Sequence, residues 1–201
     1  MNIYGNKMSN HTRRVLYVAE KLGLEYHFKH MDFQKDLKTE EFLRLHPAGK
    51  IPVLEDGEFI LFESNAICRY LATGSELYPE DKKKRAMIDQ WIDFCSIHVG
   101  TPLGKVAFNR AWAPMMKIQV DEHSLNDGLK WLDRFLPIID GQLGIYPFVA
   151  GREMSVADMV LLSVIDYAGP AKVDLSSYKH LVAWHEKMQK EEFYPKLKME
   201  I

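Results

Sequence analysis

Cysteine is scarce in this chain. Only Cys68 and Cys95 occur among 201 residues. Neither belongs to a CxxC pair or a metal-ligand spacing, which excludes a disulfide framework and a cysteine-based metal site and fits a reducing compartment. No metal is expected. Long hydrophobic runs are absent too. No stretch approaches the roughly 18 apolar residues that a membrane span needs. Met1-Asn2-Ile3-Tyr4-Gly5 lacks the basic start and apolar run of a secretory leader, so a cytoplasmic protein is expected. Charge of one sign is also missing. Lys and Arg number 26 against 28 Asp and Glu, a formal net charge of -2, so neither nucleic acid nor an acidic membrane surface is expected as a partner. The remaining composition, 47% hydrophobic and 27% charged, is that of a globular chain able to bury a core in one or two domains.

The pattern of what is present changes once along the chain. Asn2–Tyr4 reads as a short strand. Val15, Leu16, Val18, Ala19 and Leu22 recur at helical spacing until Gly23. Tyr26–Met31 reads as a second strand, and Thr39–Leu45 as a short helix stopped by Pro47 and Gly49. Ile51–Leu54 and Phe59–Phe62 are apolar runs joined through Asp56-Gly57, a strong hairpin signal. A helix from Glu63-Ser64 to Ala72 completes the order β-α-β-α-β-β-α. Gly74, Ser75, Pro79 and the run Asp81–Arg85 then mark a linker at about 76–82, between domains at 1–75 and 83–201. The basic run reads as the solvated first turn of the next helix. Beyond it strand signals cease. Helical runs are expected over Ala86–Val99, Glu122–Leu143 (with Pro137 as a kink site), Ser155–Tyr167 and Tyr178–Lys190. Ser155 and Asp158 fit a capping box before the most apolar of these, with Met154 and Met159 placed as a hydrophobic staple.

Three local features carry chemistry. Pro52 after Ile51 ahead of a strand is an ordinary trans proline on base rates. In the cis form it would leave the Ile51 backbone free to pair with an extended peptide. Ser64 at a helix start reads first as a cap. The same helix end also suits a carboxylate, with Glu63 alongside for an ammonium group. Ser9, after the first strand, is a cap by the same reasoning, or a hydroxyl that donates to a thiolate beside the positive end of the first helix. Both effects lower a thiol pKa. No acid partner completes a triad with Ser9 and His11.

Taken together, Ser9–Val15, His46–Leu54 and Leu61–Ile67, with Phe148-Val149-Ala150-Gly151 before the Ser155–Asp158 box, resemble the glutathione S-transferase superfamily over nearly the whole chain. The resemblance implies a thioredoxin-like domain followed by a helical bundle. It implies a cis Pro52, Ile51 pairing with the cysteinyl part of glutathione, Glu63 and Ser64 on the γ-glutamyl head, and Lys38 and Lys50 meeting the glycyl carboxylate. Ser9 matches the thiol-activating serine of the theta and phi classes, with Asn10 and Thr12 as rivals.

The chain departs from the family pattern in several places. Leu37 stands where some serine-type classes have His, Lys50 where many have Gln, and Asn10 where Pro commonly follows the serine. Tyr4 lies within the strand, unlike the tyrosine of tyrosine-type classes, and no cysteine takes the active position. The implied activity is transfer of glutathione to a small hydrophobic electrophile, as in detoxification, by a homodimer. The pocket for that electrophile is expected at Met8, Phe108, Asn109 and Trp112, with core packing of the Phe108/Trp112 pair as the alternative. Two other functions fit the same resemblance: a glutathione-dependent peroxidase or disulfide reductase, and a non-enzymatic protein-binding scaffold. The retained Glu63, Ser64 and Ile51-Pro52 favour an enzyme.

Overall fold

The computed structural model describes residues 1–197; residues 198–201 of the expected second domain lie outside the described residues. The first part follows the expected order: β1 (Asn2–Gly5), α1 (Asn10–Lys21), β2 (His27–His30), α2 (Glu40–Leu45), β3 (Val53–Asp56), β4 (Phe59–Phe62) and α3 (Ser64–Ala72). The strands form one sheet in the order β2-β1-β3-β4. β1 runs parallel to β2 with Ile3 opposite Phe28, and antiparallel to β3 with Ile3 opposite Leu54. β3 and β4 form the hairpin, turning at Gly57 with φ 62°. β3 begins at Val53 rather than Ile51, because Pro52 has no N–H to give to the ladder.

Apolar periodicity alone would bury one face of α1. The structure buries nearly all of it, because α1 packs against α3 on one side and, on the other, against the helical part of the chain. Arg13 and Arg14 are therefore sealed along with Val15, Leu16 and Val18. A buried guanidinium needs partners. Arg13 Nη1 lies 3.2 Å from Asp166 Oδ2, while Arg14 donates to Asn65 Oδ1 at 2.8 Å and Ser163 Oγ at 3.2 Å. Tyr17, His185 and Tyr194 also reach Asp166, so a polar knot ties α1 to the second part.

The helical part opens with α4 (Lys82–Phe94). The path continues through a wide-turned stretch at Cys95–Gly100, α5 (Thr101–Ala107), a second wide stretch at Phe108–Trp112 and α6 (Ala113–Met115). Sequence periodicity assigns no element to residues 100–121, yet the helical path runs on to Met115. The reason is chemical: each wide stretch lies just ahead of a proline, Pro102 or Pro114. A proline has no N–H and crowds the carbonyl four residues back, and a wider turn relieves that crowding. α7 (Glu122–Ile145) runs through Pro137 as one helix. α8 (Val156–Ile165) and α9 (Lys179–Met188) follow.

All ten residues of α8 are buried, and it forms the centre of this half. Its acid, Asp158, accepts hydrogen bonds from the N–H groups of Ser155 and Val149, each at 2.9 Å, and from Trp184 Nε1 at 3.2 Å. Complete burial pushes its carboxyl up, to about 6, against the opposing pull of these donors. This acid fastens the turn at Val149 to the start of α8 and has a folding role.

Candidate functional site

The segment between β1 and α1 is pinned by its own polar groups. Asn6 donates from Nδ2 to the Met31 carbonyl at 2.9 Å and accepts the Met8 N–H on Oδ1 at 2.9 Å. Its carbonyl accepts the Ser9 N–H at 2.9 Å. Ser9 caps α1: its Oγ accepts the Thr12 N–H at 3.3 Å. Among the described residues nothing accepts the hydroxyl hydrogen of Ser9. The capping and donating roles are therefore compatible in one residue, since a hydroxyl can accept and donate at once.

The rivals of Ser9 differ in access. Thr12 is fully buried, with Oγ1 accepting the Asn6 N–H, and a side chain at Gly5 would collide with it. Asn10 lines the cleft beside Ser9, but its N–H is already bonded to the Tyr167 hydroxyl at 2.9 Å.

The cleft has a volume of about 580 Å³ and opens between this segment and the second part of the chain. Met8, Phe108 and Trp112 line it, and Met115, Met116 and Phe33 extend its apolar wall. Asn109 does not line it. Its side chain is buried, donating to the Lys105 carbonyl at 3.0 Å and accepting the Asp121 N–H at 2.8 Å. Asn109 thus ties down the segment that leads into α7. Phe108 and Trp112 both line the cleft, but they differ: Phe108 is 41% exposed, while Trp112 also packs against the core.

A second, polar region adjoins the first. The Ile51–Pro52 bond is cis. Neither the N–H nor the C=O of Ile51 has a hydrogen-bond partner among the described residues, so both are available to an extended peptide. Glu63 sits at the N-cap of α3 with φ 70°, a conformation that non-glycine residues rarely adopt and that concentrates at ligand-binding positions. Its side chain makes no capping bond. Ser64 is the first helical residue rather than the cap, which revises the capping role read from its position. The first-turn N–H groups of this helix have no intrahelical partners and make it an anion-seeking terminus.

The neighbours of this helix end are cationic and aromatic. Ser64 Oγ lies 3.4 Å from His11 Nδ1. The protein crowded around the His11 ring, and then the charges of Arg14 and Lys50, hold its pKa well below the ordinary histidine value, although the residue keeps an open face on the cleft. His46 is lowered as well, first by burial, with Glu63 opposing and Lys50 reinforcing. Lys50, Glu63, Ser64 and His11 therefore share one neighbourhood. Lys38 is exposed on the segment ahead of α2. That segment is brought beside Lys50 by Gly49, where φ is +59° and an added Cβ would stand 2.6 Å from the Leu37 carbonyl. Among the described residues, no three His, Cys, Asp or Glu side chains are grouped to hold a metal ion.

A small mixed sheet with a cis-proline, set beside a helical bundle with the cleft between them, defines the class of fold. Comparison with known proteins identifies the family. The glutathione S-transferase N-terminal domain matches residues 1–73 and the C-terminal domain matches residues 105–192. Glutathione S-transferase F10 of Arabidopsis thaliana is 32% identical over 197 residues, covering 94% of this chain and 91% of that protein. The theta class glutathione S-transferase of Xanthomonas axonopodis pv. citri, solved with glutathione bound, superposes with a TM-score of 0.89 at 26% identity, covering 100% of this chain and 97% of that one. Glutathione S-transferase I from maize, solved with an atrazine glutathione conjugate, gives a TM-score of 0.88 at 29% identity, covering 98% and 95%. The chain belongs to the glutathione S-transferase family.

Sequence reasoning missed Met115, Met116, Phe33 and Tyr167 as cleft residues, and gave His11 no part beyond a failed triad. The two methionines follow Pro114, which masks the helix that carries them. Tyr167 lies 158 positions beyond Ser9 in the chain, and no local signal could have joined the two.

Proposed function

We propose that this protein is a glutathione transferase that activates the glutathione thiol for attack on a small hydrophobic electrophile. The observation that carries the reading is the adjacency of two half-sites. One offers the free main-chain groups of Ile51, the carboxylate of Glu63 and the open end of α3 at Ser64, a set that fits an amino-acid head and an extended peptide. The other offers the Ser9 hydroxyl at the positive end of α1, facing an apolar cleft.

In this reading Glu63 holds the γ-glutamyl ammonium, and Ser64 with the α3 N–H groups holds its carboxylate. Ile51 pairs with the cysteinyl unit beside Pro52, and Lys38 and Lys50 attract the glycyl carboxylate. Bound glutathione supplies a thiol nucleophile. Ser9 donates its hydroxyl hydrogen to the sulfur, and the α1 dipole favours the same anion. A thiol pKa lowered by about two units corresponds to about 2.7 kcal/mol. The thiol proton passes to solvent; Met8, Phe108 and Trp112 hold the electrophile close to the sulfur, so that formation of the carbon–sulfur bond, with departure of the leaving group and its electron pair from the attacked carbon, becomes effectively unimolecular.

The chain divides in this reading into a glutathione-binding domain at 1–75 and a helical domain at 83–201, joined by a linker at about 76–82. It works as a cytoplasmic homodimer. Family membership supports this, and the two buried free cysteines fit the compartment.

Calorimetric titration with reduced glutathione near neutral pH tests the reading, beside the Glu63→Ala variant. Saturable binding is expected, weakened about a hundredfold in the variant, the scale of losing one side of a desolvated charge pair. No binding at millimolar glutathione overturns the reading and leaves the protein a scaffold.

A further inference from the structure

One phenol oxygen bridges the two residues that flank Ser9. Tyr167 Oη donates to the Met8 carbonyl at 2.7 Å and accepts the Asn10 N–H at 2.9 Å. The tyrosine stands just past the end of α8, in the helical part of the chain, and is 8% exposed. We propose that Tyr167 is a positioning residue for the thiol-activating segment: it clamps the backbone on both sides of Ser9 and thereby aims the serine hydroxyl. This proposal rests on the glutathione transferase reading above.

Three observations support a role beyond satisfying buried polar groups. First, the Asn10 N–H belongs to the first turn of α1, where helix geometry leaves it without an intrahelical partner. Left free at the edge of the cleft, it would compete to donate to a sulfur anion. Tyr167 occupies it and so removes one backbone donor that would rival the Ser9 hydroxyl for the sulfur. Second, the ring is packed between an aromatic and a cationic neighbour. It meets the Trp112 ring edge-on at 4.8 Å between centroids, and the Arg13 guanidinium lies 5.5 Å from its own centroid. Arg13 is in turn held by Asp166. Third, the same ring lines the cleft, so the wall that receives the electrophile and the clamp on the nucleophile's partner are one side chain. Activation at Ser9 thus depends on the helical part of the chain, which local sequence around Ser9 does not reveal.

The test reads the thiol itself. The pKa of bound glutathione is measured from thiolate ultraviolet absorbance across a pH titration of the binary complex, for the wild type, Tyr167→Phe and Ser9→Ala. Phenylalanine keeps the ring and removes only the bridging oxygen. Tyr167→Phe is expected to raise the bound thiol pKa by about one unit and lower kcat about tenfold, with the glutathione Kd changed less than about threefold. Ser9→Ala sets the upper limit of the shift. An unchanged thiol pKa and pH–rate profile in Tyr167→Phe overturn the clamp while leaving the transferase reading intact. A wild type that binds no glutathione overturns both.

If Tyr167→Phe does not fold, amide hydrogen exchange in the wild type decides. The Asn10 amide is expected to exchange at least about tenfold more slowly than the neighbouring His11 amide, both being in the first turn of α1. Equal rates overturn the clamp.

Discussion

The two sides of the site are made of different material. The polar side is shaped by special backbone conformations that carry its polar side chains: the cis bond at Pro52, the positive φ of Gly49 and Glu63, and the open end of α3. The apolar side is built from side chains. Phe33, Phe108, Met115 and Met116 are all at least two-fifths exposed, on a loop and on a helix interrupted by wide turns. A backbone-built surface is rigid and tied to particular residue types, because few residues tolerate those conformations. A surface of methionine and aromatic side chains accepts substitution and adapts in shape. In the proposed reading, glutathione recognition falls to the inflexible half of the site and electrophile recognition to the adjustable half.

The comparison can be broken first at Gly49. A β-branched side chain there meets both a left-handed backbone and the Leu37 carbonyl. Gly49→Val is expected to cost about 3 kcal/mol in thermal or urea denaturation, and to weaken glutathione binding because Lys50 and Ile51 follow directly. Unchanged stability would show that the polar side is not fixed by its backbone.

The opposite change sharpens the contrast. Phe108→Ala removes an exposed apolar wall, so stability is expected to hold within about 0.5 kcal/mol. KM for an apolar electrophile should rise about tenfold while glutathione affinity stays the same. A parallel loss of glutathione affinity would mean that the two sides are not separable.

The smallest effect is expected at His11, on the border between them. Burial among its neighbours, with Arg14 and Lys50 nearby, lowers its pKa from the ordinary 6.5 to about 3 in the folded chain. The unfolded chain therefore takes up this proton first as pH falls. The contribution of neutral His11 is present above about pH 6.5 and is lost progressively below it. Because the ring is open to the cleft, water screens it. The loss between pH 7 and pH 5 should stay below about 1 kcal/mol, read as a urea-midpoint shift that His11→Gln abolishes.

The same division governs what was legible in advance. The motif from His46 to Leu54 and the pair Glu63-Ser64 are local, and special backbone positions demand special residues in sequence. The order of strands followed for a similar reason: the Asp56-Gly57 turn and the change from period two to period 3.6 are written in neighbouring residues. The helix from Thr101 to Met115 was hidden by Pro102 and Pro114, which read as breakers until the wide turns beside them are seen. Asn109 stands between Phe108 and Trp112 in the sequence but does not share their side of the helix. A wide-turned helix rotates successive side chains by less than an ordinary one, and the structure turns Asn109 inward to hold residue 121.

By itself the sequence determined the order of strands and helices along the first part and the change to an all-helical second part, because each is encoded by local conformational preference, while the polar half-site is an expectation that rests on the family resemblance. Only the tertiary structure decided three other things: that Arg13 and Arg14 would be buried against Asp166, Ser163 and Asn65, that methionines after Pro114 would face the cleft, and that Tyr167 would grip the chain around Ser9. Those contacts join residues as far as 159 positions apart, and a contact at that separation is fixed by how helices pack rather than by any short pattern along the chain.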